Sequence, residues 1–285
     1  MKIDLHTHSR CSDGSLTVEE LVRAAAENEV VVLSLTDHDN IDGTCRAIAC
    51  GAAHNIDVIP GIEISAWDPS AQRKVHILGY GYRSDASAIT DLCTPLLRRR
   101  HARTLEQIQL ISSAGYELSE RDVRKEAGQS QYLYKQHIMA VLVQKGYADS
   151  IYSGLYRELF KGEGVAAGDI EYVHYADAIA AVLDDGGIPV LAHPGQQRSF
   201  DLIRVMIQLG LRGIEVYHPD HSREDVETAC AYAENFDLLK TGGTDFHGTY
   251  GVEVELGSIS APRSFVKNWK ECLVSVRNEY SLLRK

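Results

Sequence analysis

Ile3-Asp4-Leu5-His6-Thr7-His8 reads as a short β-strand closing on two imidazoles, and that combination decides how the rest of the chain is read. Side chains two apart on a strand share a face, so His6 and His8 can meet one cation at the strand's end. Alone, the pair reads as ordinary surface or hydrogen-bonding groups. The same ending recurs along the chain. Thr36-Asp37-His38-Asp39 follows the apolar run 30–35, Glu63 falls late in 56–64, and His76 opens 75–80. His193-Pro194 follows 188–192, His218-Pro219 follows 213–217, and Asp245-Phe246-His247 follows 238–241. A strand body of Val, Ile and Leu buries easily, whereas a carboxylate or imidazole at its mouth needs water, a partner or a cation. Asp13 or Asp39 singly could serve as a helix cap. Repetition over separate strands points instead to shared metal chemistry.

Between these strands lie amphipathic stretches, beginning with Thr17-Val18-Glu19-Glu20, where Thr17 and Glu20 form a capping box ahead of the Leu21, Ala24, Ala25 stripe. Seven strand candidates alternating with helices predict an α/β fold, either a parallel barrel or an open parallel sheet. Functional groups belong at the C-terminal ends of the strands in both. After residue 83 the rhythm changes. Residues 88–114 read as a long helix carrying Arg98-Arg99-Arg100, His101 and Arg103, further helices fall at 137–145 and 176–183, and strand signals return only near 188. The interval 95–172 is therefore expected to be a small helical insertion on a body formed by 1–94 and 173–285.

The 285 residues are 44% apolar and 24% charged without a biased tract, which excludes fibrous and disordered classes. A formal charge of -11 opposes long nucleic acid tracts and anionic membranes as partners. Small nucleotides stay open, because bound cations invert the local field. No obligate protein partner is predicted. Six cysteines without a CxxC spacing disfavour structural zinc, and no apolar segment reads as a signal or a membrane span, so a cytoplasmic location is expected. Nitrogen and oxygen ligands without thiolate suit Mn, Fe or Zn, with Mg possible at oxygen-rich positions, and their number implies two or three divalent ions. Glu63 is the candidate bridging carboxylate.

At this point the motifs closely resemble the polymerase and histidinol phosphatase (PHP) superfamily. Asp4-Leu5-His6-Thr7-His8 with Ser12-Asp13-Gly14, Thr36-Asp37-His38-Asp39, Pro60-Gly61-Ile62-Glu63-Ile64, Ala192-His193-Pro194 and Gly243-Thr244-Asp245-Phe246-His247 carry the resemblance. It implies a distorted (β/α)7 barrel with a trinuclear metal centre at its C-terminal mouth. By motif, His6, His8, Glu63 and Asp245 match one metal site, Asp13, His38 and His247 a second, and Glu63, His76 and His193 a third. The chain is also similar to a nucleotide phosphatase branch with a helical insertion, through Val216-Tyr217-His218-Pro219-Asp220-His221 and the insertion's His137. Lys135-Gln136 stands where that branch commonly shows Arg-Pro, and lysine cannot reproduce arginine's bidentate fork.

The expected activity is thus a metal-dependent phosphomonoesterase releasing phosphate from AMP or 3',5'-bisphosphonucleotides through metal-activated water attacking in line. Lys135, His137 and Arg198 are the expected phosphate contacts, and His218 and His221 the expected catalytic groups assisting departure of the nucleoside. Neighbouring readings are a 5' exonuclease on short oligonucleotides, a histidinol phosphate phosphatase, and a noncatalytic metal- or nucleotide-binding module.

Overall fold

The apolar runs become strands because Val, Ile and Leu bury both faces of a sheet wrapped by helices. A computed structural model describes residues 1–283, with side chains through residue 277. Its strands are β1 (Lys2–Thr7), β2 (Val30–Leu35), β3 (Asp57–Asp68), β4 (Arg73–Tyr80), β5 (Val173–His174), β6 (Ile188–Leu191), β7 (Gly213–Tyr217) and β8 (Leu239–Gly242). They line up in the order β1-β2-β3-β4-β6-β7-β8, with β5 appended to β3. The order closes into a barrel: the His8 N–H donates to the Phe246 carbonyl at 2.8 Å. Asp4 completes the seam. It accepts from the Thr244 N–H (3.0 Å) and hydroxyl (2.7 Å) and from the Gly257 N–H (2.9 Å). Burial pushes its pKa up to about 6 against those hydrogen bonds.

One expectation needs correction. The barrel is not wholly parallel, because β4 pairs antiparallel with both β3 and β6. Only residues 69–72 separate β3 from β4, too few for a crossover, so the chain must turn back. β3 also runs four residues past its predicted end at Ile64. The reversal matters for function. An antiparallel strand presents its first residues, His76 among them, at the mouth where its neighbours present their last.

Helix α1 (Val18–Glu27) covers β2, with Leu21, Val22 and Ala25 packed beside Leu33 and Leu35, and α2 (Thr44–Ala53) packs on β3. Thr17 and Glu20 form the capping box that the sequence predicts. The barrel core gathers Ile3, Leu5, Ile62, Ile64, Ile77, Val190 and Ile214. Burying each such side chain contributes about 1.5–3 kcal/mol. A second core lies among α3 (Ser87–Ser113), α4 (Glu120–Ala127), α5 (Lys135–Gln144) and α6 (Gly154–Phe160), formed by Ile108, Ile111, Val123, Ile138, Leu142 and Phe160. α3 spans both: Ile89 and Cys93 lie in the barrel core, Ile108 and Ile111 in the second. The expected boundary at residue 95 therefore falls inside one continuous helix. At its other end, β5 stitches the insertion's exit to β3 through Ala66↔Val173 and Trp67↔His174.

Candidate metal centre

β1 carries His6 as its second-last residue and is followed at once by His8, both fully buried. The following loop carries Asp13 and is held by the buried Asp37, which accepts from the Ser9 N–H (2.7 Å), the Ser9 hydroxyl (2.7 Å) and the Ser12 hydroxyl (2.6 Å). Gly14 is required there, since a Cβ would meet the His8 carbonyl oxygen at 2.4 Å. Asp39, His193 and Asp245, all at strand ends, have left-handed φ values of 58°, 24° and 50°. Such backbone strain in non-glycine residues persists where surrounding structure enforces it, often at functional sites.

Glu63 occupies the middle. Its Oε1 lies 2.7 Å from His76 Nδ1 and 2.8 Å from His193 Nε2. Its Oε2 lies 3.2 Å from His6 Nε2, 3.2 Å from His8 Nε2 and 3.3 Å from His38 Nδ1. One oxygen thus faces one pair of imidazoles and the other faces a different trio. Four groups offer ligand atoms within 4.8 Å of one another: His6, His8, Glu63 and Asp245; His8, Asp13, His38 and His247; His38, Glu63 and His76; and His6, Glu215 and His218.

The donor set fits metal ions on a physical criterion. His6 Nε2, both nitrogens of His8, Asp13 Oδ1 and Asp245 Oδ1 are buried without an aligned hydrogen-bond partner, although His8 Nε2 lies only 3.1 Å from Asp245 Oδ1. Close donors that do not point at one another are arranged around a common point rather than bonded pairwise. The electrostatics agree. Burial would raise Glu63, but His38, His76 and His6 hold its pKa well below the usual carboxylate range. Burial opposes protonation of His8, yet Asp245 and Glu63 outweigh it and push its pKa up to about 10. Burial pushes His38 down to about 3 despite Glu63 and Asp13. Divalent cations held here would keep these imidazoles neutral and the carboxylates ionised, releasing protons as they bind.

Glu215, which the sequence reading passed over, orders the deepest ligands. Its Oε1 lies 3.1 Å from His6 Nδ1, and its Oε2 accepts from the His193 N–H at 2.9 Å. The signal was a carboxylate inside the apolar strand Gly213–Tyr217, where burial demands a partner. His218 lies 3.4 Å from Asp245 Oδ2 through Nε2, while its Nδ1 accepts from the Asp220 N–H.

The expected substrate contacts separate. Lys135 lines a cavity of about 140 Å³ beside Asp13, His38 and His76, together with Lys74, Arg100 and Arg103. His137 does not line it. Its Nδ1 accepts from the Tyr134 N–H, so it caps α5 from within the insertion core. Arg198 is exposed and lies outside this cavity's lining, and its carbonyl accepts from Arg73. His221 Nδ1 donates to the Val216 carbonyl at 2.9 Å and its Nε2 accepts from the Gly195 N–H at 3.2 Å. With both nitrogens committed to backbone, it braces two strand-end loops.

The cationic wall comes from pieces the sequence kept apart. Arg100 and Arg103 belonged to a recognised basic cluster without an assigned role, and nothing marked Lys74. Asp169 joins the two lysines, 2.5 Å from Lys74 Nζ and 3.5 Å from Lys135 Nζ. Burial pushes Lys135 down to about 8, with Asp169 opposing. Tyr172 and the closer Asp169 outweigh burial at Lys74 and raise its pKa.

A mixed barrel with clustered imidazoles and carboxylates at one mouth, next to a cationic recess, defines a metal-dependent phosphoesterase. The PHP domain family model matches residues 4–186, and the chain belongs to that family. It is 44% identical over 248 residues to the phosphoribosyl 1,2-cyclic phosphate 1,2-diphosphodiesterase of Eggerthella lenta, covering 87% of this chain and 95% of that one. It is 28% identical to the 3',5'-nucleoside bisphosphate phosphatase of Chromobacterium violaceum, over 86% of this chain and 87% of the relative. A protein from Bifidobacterium adolescentis described as a metal-dependent phosphoesterase superposes with a TM-score of 0.87 at 26% identity, covering 95% of each chain. Among the described residues, no helix is long and apolar enough to cross a membrane.

Proposed function

We propose that the substrate is a small ribose phosphate bearing two phosphoryl groups, one hydrolysed at the metal centre and the other held by Lys74, Arg100, Arg103 and Lys135. The observation carrying this reading is the continuity of that cationic wall with His38, His76 and Asp13 in one cavity of a chain whose net charge is -11. The cavity holds roughly five water volumes, a scale suited to a phosphoryl group. The names of the two curated relatives share this feature: each describes a ribose compound with two phosphates. A singly phosphorylated nucleotide such as AMP leaves the wall unmatched and is the poorer substrate.

Two or three divalent ions, Mn first among Mn, Fe, Zn and Mg, are assigned to the His6/His8/Glu63/Asp245, Asp13/His38/His247 and Glu63/His76/His193 sets. Such ions supply Lewis acidity toward a phosphoryl oxygen and lower the pKa of water. The protein's own part is positional. Glu63 and Glu215 fix imidazole orientation, Arg100 and the lysines offset charge on the second phosphate, and His218 stands beside Asp245, placed to donate a proton to the leaving ribose oxygen. Hydrolysis of a monoester gives inorganic phosphate and an alcohol; hydrolysis of a cyclic ester opens the ring to a monoester and a hydroxyl. The enzyme is assigned to the cytoplasm, where buried thiols such as Cys11 and Cys93 stay reduced.

The test is phosphate release or ring opening with Mn-loaded enzyme on phosphoribosyl 1,2-cyclic phosphate, a 3',5'-bisphosphonucleotide and AMP. Turnover of a doubly phosphorylated compound, lost on chelation and regained with Mn, is expected. Equal kcat/KM for AMP and its 3',5'-bisphosphate counterpart defeats the two-phosphate reading.

A further inference from the structure

The helical insertion has a core of its own, and a residue of the barrel enters it. Of the described residues that form this core, Tyr250 alone comes from outside 105–166. It lies three residues after His247, at the end of a single helical turn, Gly248–Tyr250, and its ring is buried. Its hydroxyl donates to Glu126 Oε1 on α4, and Glu126 Oε2 accepts from Gln144 Nε2 of α5 at 2.7 Å. A phenol buried in this way packs its ring and still satisfies its polar end.

His137 lies against that ring. Its imidazole meets Tyr250 edge to face, with centroids 6.1 Å apart at 72°, and meets Tyr134 in the same manner, 5.7 Å apart at 89°. Tyr134 carries the contact back to the barrel, because its N–H donates to His137 Nδ1 at 3.2 Å and its hydroxyl donates to the His38 carbonyl at 3.0 Å. One buried row thus runs from the backbone of His38 through the insertion to the segment bearing His247. The loop that carries Asp13 joins this far end. The Ser15 N–H donates to the His247 carbonyl at 3.0 Å, and Ser15 Oγ accepts from the Thr249 N–H at 2.9 Å.

The residues joined in this way share one candidate metal set. Asp13, His38 and His247 all lie outside the strands, whereas His6, Glu63 and His76 lie within β1, β3 and β4, where ladder hydrogen bonds fix the backbone. Ligands without a ladder depend on neighbouring groups for their orientation. We propose that Tyr134, His137 and Tyr250 form a strut by which the insertion positions His38 and His247, so that affinity for the ion on the Asp13, His38 and His247 set depends on the seating of the insertion. This rests on the preceding assignment of an ion to that set. The three are positioning residues, acting through the backbone of one ligand and the loop of another.

The experiment titrates Mn(II) into metal-free protein and reads free Mn(II) by electron paramagnetic resonance, which gives the ions bound per chain and their dissociation constants without turnover. In Tyr250→Ala one ion should bind about tenfold more weakly while the others stay within about twofold, the size of effect that loss of an orienting partner gives. Tyr250→Phe keeps the ring in the core and should recover most of that affinity. Tyr134→Phe removes only the hydroxyl on the His38 carbonyl and should weaken the same ion about fivefold. It leaves every ring in place, so it decides the question even where Tyr250→Ala does not fold. His247→Ala identifies the ion concerned, and Tyr250→Ala/His247→Ala should bind Mn(II) no differently from His247→Ala alone. Equal weakening of every ion, or unchanged constants in Tyr134→Phe, overturns the strut, since loss of packing alone would lower the unfolding midpoint without selecting one ion. A wild type that binds fewer than two Mn(II) defeats the metal assignment itself, and the strut with it.

Discussion

Arg100 Nη2 lies 2.6 Å from Asp39 Oδ2, joining the long helix that enters the insertion to the loop that follows β2. The same nitrogen donates to the Ser65 hydroxyl at 2.9 Å, and Asp39 Oδ1 accepts from the Ser65 N–H at 2.7 Å. The guanidinium also lies over the Tyr134 ring, 5.3 Å from its centroid. One partly buried contact therefore couples the cationic wall, the strand bearing Glu63 and the strained loop at Asp39.

Arg100→Met leaves Asp39 buried without its cation, which should cost about 3 kcal/mol. Denaturant unfolding should show a lowered midpoint at unchanged slope. The double variant Asp39→Asn/Arg100→Met should regain at least half of that loss, because the unpaired charge is gone. A double variant no more stable than Arg100→Met alone would place the cost elsewhere.

Lys135 gives the reaction a basic limit. With its pKa near 8, the ammonium is lost as pH rises through that value, and KM for a doubly phosphorylated substrate should climb there while kcat holds. Lys135→Arg should keep KM level between roughly pH 7 and 9, since a guanidinium stays charged. The stability sign is opposite. The folded pKa lies below the ordinary 10.5, so between about 8 and 10.5 the unfolded chain binds more protons and this residue's contribution to stability rises with pH. Steady-state kinetics across this range, with the metal held saturating, checks the first effect.

Glu215→Gln should weaken metal binding by about 10–100-fold, as loss of an orienting partner usually does. Calorimetric titration would show the weaker affinity, and excess Mn should restore most of kcat. A kcat that stays low at saturating metal would mean that Glu215 acts on the reaction itself.

Thr17→Ala removes an acceptor 3.2 Å from the Glu20 N–H and half of the capping box on α1. The expected loss is about 1 kcal/mol, read as a lowered denaturation midpoint with kinetics unaltered.

Much of the centre is legible in the sequence, because most of its ligands end or follow an apolar run and short-range periodicity shows that directly. His6, His8, Glu63 and His193 stand out through the conflict between apolar strand bodies and polar ends. Lys74 and Glu215 did not, since a lysine opening a strand or a glutamate inside one is locally unremarked until its neighbours are known. Arg198 closely follows His193-Pro194 and His221 closes the motif Val216-Tyr217-His218-Pro219-Asp220-His221, but position in the sequence does not set which atoms remain available. His221 spends both nitrogens on backbone that only the folded loops bring to it.

By itself, the amino-acid order determined the strand and helix rhythm, the capping of α1 and the identity of the candidate ligands, all of which follow from local hydrophobic period and side-chain chemistry. Tertiary structure decided the rest. The short turn reverses β4 and brings His76 to the mouth, Glu63 turns each oxygen toward different imidazoles, and Asp169 ties lysines from β4 and α5 into one wall. Apart from the β3–β4 turn, these are relations between segments distant in sequence, set by strand direction and packing, and no local pattern encodes them.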